Sequence, residues 1–191
     1  YSWTEPTPAH RLVEIFQTRG NQERNDYADA WRGWHQRNGS SVQDALAKRY
    51  HVGFVGGTDN HCGWPGRAFA RCEGIGIHPP SSQILTGIWT SRIERCAVYE
   101  ALAARRTWAV WDTRAIVWFT VNDVLMGGEL RLPDEGGLTV AIRIDAECAF
   151  QTVELVSDGN VIWQASFGGP RVEVSVDVPR PRADTHIYLR A

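Results

Sequence analysis

The order of apolar and polar positions divides the chain into two textures. Up to about residue 111, short apolar runs take turns with helical stretches. Leu12-Val13-Glu14-Ile15-Phe16 reads as a buried strand interrupted by one carboxylate. Ser41 to Tyr50 follows a helical period, with Ser41 as N-cap and Val42, Ala45, Leu46 and Arg49 on one side. Val52 to Gly57 is a second short buried strand that ends in glycines. A further helix is predicted from Ser91 to Arg105, with Ile93, Ala97, Tyr99 and Leu102 spaced for an inner face. Strand, helix, strand, helix in this order predicts an α/β region of βα units, with a parallel sheet or barrel.

From Ala115 onward the period becomes two. Ile116–Val121, Leu138–Ile144, Thr152–Val156 and Val172–Val176 alternate, and Asp158-Gly159 between apolar runs signals a hairpin. Short strands with turn cues roughly every ten residues predict a small β-sandwich. The expected division is residues 1–111 and 112–191. The second part is expected to be incomplete at its C-terminus, because the chain stops after the strand-like His186–Arg190.

Composition narrows the function classes. A net charge of −2 and a pI near 6.3 provide no basic field for nucleic acid or an anionic membrane. No apolar run approaches the roughly 20 residues needed to span a bilayer. Lys48 is the only lysine among 20 basic residues, a bias that reflects genome composition more than function. The chain opens on Tyr1 and its only methionine is Met126, so a fragment, a processed product or a trimmed chain is expected. Localisation stays open between the cytoplasm and the periplasm or exterior. Cys62, Cys72, Cys96 and Cys148 show no CxxC spacing, and reduced, partly buried thiols are expected.

The sharpest local feature is Gly56-Gly57-Thr58-Asp59-Asn60-His61-Cys62-Gly63. An apolar strand delivers an Asp-x-His pair at its C-terminal end, where reacting groups collect in parallel α/β architectures. Residues i and i+2 of an extended segment share a side, so Asp59 and His61 can reach one metal ion. The bland alternative is a polar turn in which Asp59 caps a helix and His61 faces solvent. Glu14 is the second feature. A carboxylate in an apolar strand must be bound to metal or paired, here with Arg11 or Arg19.

The block Leu12 to Glu23 resembles a strand-loop element of the PHP (polymerase and histidinol phosphatase) superfamily. Gly53-Phe54-Val55-Gly56-Gly57-Thr58-Asp59-Asn60-His61 is similar to that superfamily's last metal motif, and Ala101 to Ala109 to the helix and strand that follow it. Val121-Asn122 with Met126-Gly127 resembles the linker into an appended β-sandwich. The resemblance is closest to a branch of unknown function related to carbamate hydrolases. It implies the C-terminal part of a distorted (β/α) barrel followed by the β-sandwich, with two or three divalent ions (zinc, manganese or iron) at the strand ends. On that pattern Asp59 and His61 are metal ligands, Glu14 lies on the catalytic rim or in the ligand set, and Arg19 belongs to the catalytic rim. Relatives often carry histidine where Thr18-Arg19-Gly20 stands, so Arg19 is a candidate for holding an anionic group. Arg67 and Trp64 are candidates for substrate binding, with loop packing as the alternative. The first His-x-His motif of the pattern is not in this chain, so a separate N-terminal segment is a candidate partner and this chain alone would lack part of the site.

The function implied is a metal-dependent hydrolase of a small-molecule substrate, a phosphoesterase before an esterase, amidase or carbamate hydrolase. Clustered divalent ions acidify a water and clamp phosphoryl or acyl oxygens. The alternative is a non-catalytic fragment or assembly piece whose β-sandwich binds a partner or a sugar.

Overall fold

A computed structural model describes residues 2–17, 20–25, 39–59, 84–132, 136–181 and 183–191. The chain divides into two compact units, Tyr1–Arg114 and Ala115–Ala191.

In the first unit, β1 (Leu12–Gln17) lies between β2 (Gly20–Asn21) and β3 (Gly53–Gly56). β1 and β3 run parallel, with Leu12 opposite Gly53 and Glu14 opposite Val55; a register shift between Glu14 and Phe16 leaves Ile15 as a bulge. The alternation of β1 buries Val13 and Ile15 and turns Glu14 and Phe16 to the other face. The connection back to β3 contains α1 (Val42–Ala47), which starts on a capping box. The Asp44 N–H donates to Ser41 Oγ at 3.1 Å and the Ser41 N–H donates to Asp44 Oδ2 at 2.8 Å. The next two amides, of Val42 and Gln43, donate to the carbonyls of Gln22 and Glu23. Donors that a helix leaves open at its start are thereby met by the loop after β2.

β4 (Ile84–Ile88) and β5 (Thr107–Trp111) pair antiparallel, and α2 (Arg95–Ala103) lies in the connection between them. Both helices end on the same device. Arg49 and Arg105 take φ values of 65° and 60°, and the amides after them, of Tyr50 and Arg106, bond back to the carbonyls of Ala45 and Ala101. These are Schellman caps with arginine where glycine is usual.

Two expectations are overturned here. The described residues are 44% strand and only 10% helix, spread over several small sheets with no closed barrel, so the chain is not part of a (β/α) barrel. The strand-and-helix alternation misled because β4 pairs antiparallel with β5, so α2 joins antiparallel neighbours and makes no parallel crossover. The inner face of α2 is Ala97 and Ala101. Ile93 is 98% exposed because it precedes the helix, and Tyr99 is 71% exposed because two residues of helix turn it away from Ala97.

The second unit is all strand. One sheet has the order β11-β8-β6-β7 and the other β10-β9-β12, built from β6 (Ala115–Val121), β7 (Val124–Leu125), β8 (Leu138–Ala146), β9 (Thr152–Ser157), β10 (Asn160–Ser166), β11 (Arg171–Val178) and β12 (Ile187–Arg190). Among the described residues every pairing within these two sheets is antiparallel. Both sheets contribute to one apolar core, with Phe119, Val140, Ile142, Ile144 and Val172 from the first and Val153 and Leu155 from the second. Two-residue turns with positive φ close two hairpins, Asn122-Asp123 between β6 and β7 and Asp158-Gly159 between β9 and β10.

Candidate functional site

Parallel pairing brings the C-terminal ends of β1 and β3 to the same edge, and the carboxylate of Glu14 sits there. A methyl group built on Gly57 would lie 2.7 Å from Glu14 Oε1, so the half-buried carboxylate occupies the space that a side chain at 57 would fill. The Gly57 amide extends the parallel ladder by donating to the Phe16 carbonyl at 3.2 Å. Gly57 is therefore a point of close approach between the first strand's acid and the loop that carries Asp59.

Asp59 has φ 46°, in the left-handed region. Among the described non-glycine residues with positive φ, Arg49 and Arg105 are helix caps, Asn122, Asp123 and Asp158 are hairpin turns, and Asp112 lies in the link between β5 and β6. Asp59 follows β3, as Asp112 directly follows β5. Left-handed backbone at a residue with a Cβ costs energy and is held in place by its surroundings.

Gly56 is constrained from the other side. A methyl group there would lie 2.7 Å from Ile84 Cγ2, 3.2 Å from Ala109 Cβ and 3.3 Å from the Leu85 carbonyl oxygen. The close approach lets Thr86 of β4 reach β3. Its Oγ1 accepts from the Gly56 N–H at 2.9 Å and donates to the Gly56 carbonyl at 2.8 Å. Residue pairs along a strand alternate in direction, so Gly57 points its amide to β1 while Gly56 points both backbone groups to Thr86.

Glu23 was not singled out by the sequence pattern, yet it is the buried carboxylate among the described residues, 3% exposed against the half-buried Glu14. Its N–H donates to Asn21 Oδ1 at 2.8 Å. An Asn two residues ahead of an acid is the available signal, an Asx turn that folds the loop inward.

Of the residues expected at the site, Glu14 lies against Gly57, two residues before Asp59. His61, Arg19, Arg67 and Trp64 lie outside the described residues, as do Cys62, Trp31 and Trp34. Cys96 and Cys148, expected as partly buried thiols, are free and exposed. Among the described residues no group of three or more His, Cys, Asp or Glu side chains is placed to hold a metal. Glu14 and Asp59 are hard oxygen donors by type, and Gly57 stands in front of Glu14. No described helix is long and apolar enough to cross a membrane.

No family model matches the chain. No solved structure matches it. It is similar to an uncharacterized protein of Chlamydia pneumoniae, 27% identical over 161 residues that cover 80% of this chain and 25% of that protein. The chain thus spans about a quarter of the length of the curated relative it matches.

Proposed function

We propose that the shared end of β1 and β3 forms part of the site of a metal-dependent hydrolase acting on a small-molecule substrate, a phosphoester before an ester, amide or carbamate. The observation that carries this reading is the Glu14 carboxylate lodged over Gly57, two residues ahead of Asp59. It accords with the PHP resemblance of the Asp59-x-His61 motif, and the proposal does not depend on a barrel.

In this reading Asp59 and His61 hold a divalent ion (zinc, manganese or iron), and the Glu14 carboxylate adds its charge to the same ion's surroundings. When bound, the ion supplies Lewis acidity toward a phosphoryl or acyl oxygen and acidifies a water. Glu14 accepts the proton from the attacking water or fixes its direction, a task suited to a carboxylate held against bare backbone. Arg19 and Arg67 bind the anionic group of the substrate with planar donor pairs. Trp64 walls the pocket and limits water. Further ligands of a two- or three-ion site come from a segment that precedes this chain or from a partner chain.

The test is turnover of simple phosphomonoesters and phosphodiesters by the full-length gene product, with and without manganese or zinc. Asp59→Ala is expected to abolish metal-dependent turnover with the fold intact. Undiminished activity in that variant rejects the assignment.

A further inference from the structure

Resting on the metal-site reading above, we infer that Thr86 is a positioning residue for the site, a hydroxyl clip that fixes the end of β3 so that Gly57 stays against Glu14 and the segment leading to Asp59 starts from a set place. Among the described residues β3 pairs with β1 on one side only. Its other side would leave the N–H and C=O of Gly56 unpaired, and such groups must find partners when enclosed. No backbone ladder joins β3 to β4, which pairs with β5 in a separate sheet. Instead one side-chain oxygen serves both groups, at 2.9 Å and 2.8 Å. Only a hydroxyl does this, since it accepts and donates through a single atom.

The location gives the clip its consequence. Gly56 immediately precedes Gly57, where the Glu14 carboxylate rests, and Asp59 follows in a left-handed conformation. Two adjacent residues are thus gripped from opposite sides. The Phe16 carbonyl takes the amide of Gly57, and Thr86 takes both backbone groups of Gly56. A peptide fixed in this way leaves the following loop little freedom at its root. Supporting hydrogen bonds of this kind orient first ligands, and their loss typically costs about 10-fold or more in metal affinity. Thr86 touches neither ion nor substrate in this account; it acts through Gly56.

Two variants of the full chain test this, Thr86→Val, which keeps the shape and loses both hydrogen bonds, and Thr86→Ser, which keeps the hydroxyl. Amide hydrogen exchange reads the clip itself. Exchange at Gly56 is expected to rise about 10-fold or more in Thr86→Val and to stay near the parent in Thr86→Ser. Unchanged exchange in Thr86→Val overturns the clip. Titration with Mn²⁺ reads its consequence, with Asp59→Ala alongside. Affinity is expected to fall about 10-fold in Thr86→Val, to recover in Thr86→Ser and to vanish in Asp59→Ala. If Asp59→Ala loses Mn²⁺ while Thr86→Val keeps parental affinity, the positioning role is wrong and the metal site stands. If Asp59→Ala binds Mn²⁺ like the parent, the metal reading fails and takes the positioning role with it.

Discussion

β3 and β8 are both strands flanked closely by other elements, yet they fill space in opposite ways. β8 alternates, and Leu138, Val140, Ile142 and Ile144 put bulky side chains into the core of the second unit. β3 begins and ends in glycine, and neighbours fill the space its missing side chains leave: Arg105 and Thr107 at Gly53, Ile84 and Ala109 at Gly56. Directly after it, Glu14 does the same at Gly57. In the first case side chains set the spacing between layers; in the second their absence lets polar groups from other strands meet the backbone. A strand of the β8 kind contributes stability, whereas one of the β3 kind gives access to its own main chain, which suits a site.

The largest expected effect that separates the two regions is on stability. Leu155→Ala, a fully buried side chain of the second unit, should cost about 2–5 kcal/mol in denaturant unfolding. Mn²⁺ affinity of the folded fraction should not change, because nothing of the proposed site lies there. Next comes a paired contrast within β3 and its exit. Gly56→Ala drives a methyl group into Ile84, Ala109 and the Leu85 carbonyl, so a loss of about 1–3 kcal/mol is expected. Gly57→Ala meets only the end of the flexible Glu14 side chain. It should cost little stability but displace the carboxylate and weaken Mn²⁺ binding. Equal stability losses in the two variants would erase the distinction drawn between these glycines.

Smaller effects belong to α1. Burial alone would raise the Asp44 carboxyl, but hydrogen bonds from Ser41 and Asn25 and the charge of Lys48 outweigh it and hold the group below its usual value of 3.8. A carboxyl depressed in the folded state adds stability above its unfolded pKa and loses it as pH falls through the folded one. Ser41→Ala should therefore flatten the loss of stability below about pH 4, followed by thermal melts across pH 2–5. Arg49→Gly is expected to raise the melting temperature slightly. Relief of a left-handed penalty of about 1 kcal/mol is partly offset by the entropy of glycine.

Local signals were legible wherever neighbours in sequence decide the outcome. Ser41 announces α1 through a bond to Asp44 three residues on, and Asp158-Gly159 closes its hairpin through its own backbone preference. The glycines at 56 and 57 could be read as places of close approach, but not what approaches them. Thr86 lies 30 residues from Gly56, and no period or propensity ties the two. The antiparallel sense of β4 and β5 was hidden for the same reason, since a helix between two strands is compatible with either direction until pairing is known. The face of α2 was misread because its start was placed at Ser91, which made Ile93 and Tyr99 look inward. For Glu23 the one local signal is Asn21 two residues ahead, and an Asx turn in a polar loop does not by itself announce burial.

The central claim is that Glu14 and Asp59, delivered by two parallel strands, act on one ion. A double-mutant cycle on Mn²⁺ affinity measures this directly, using Glu14→Gln, Asp59→Asn and the pair in the full-length protein. The account predicts strong non-additivity, with the double variant little weaker than the poorer single one and a coupling of about 0.5–3 kcal/mol. Strictly additive losses, or no loss in either single variant, would contradict it.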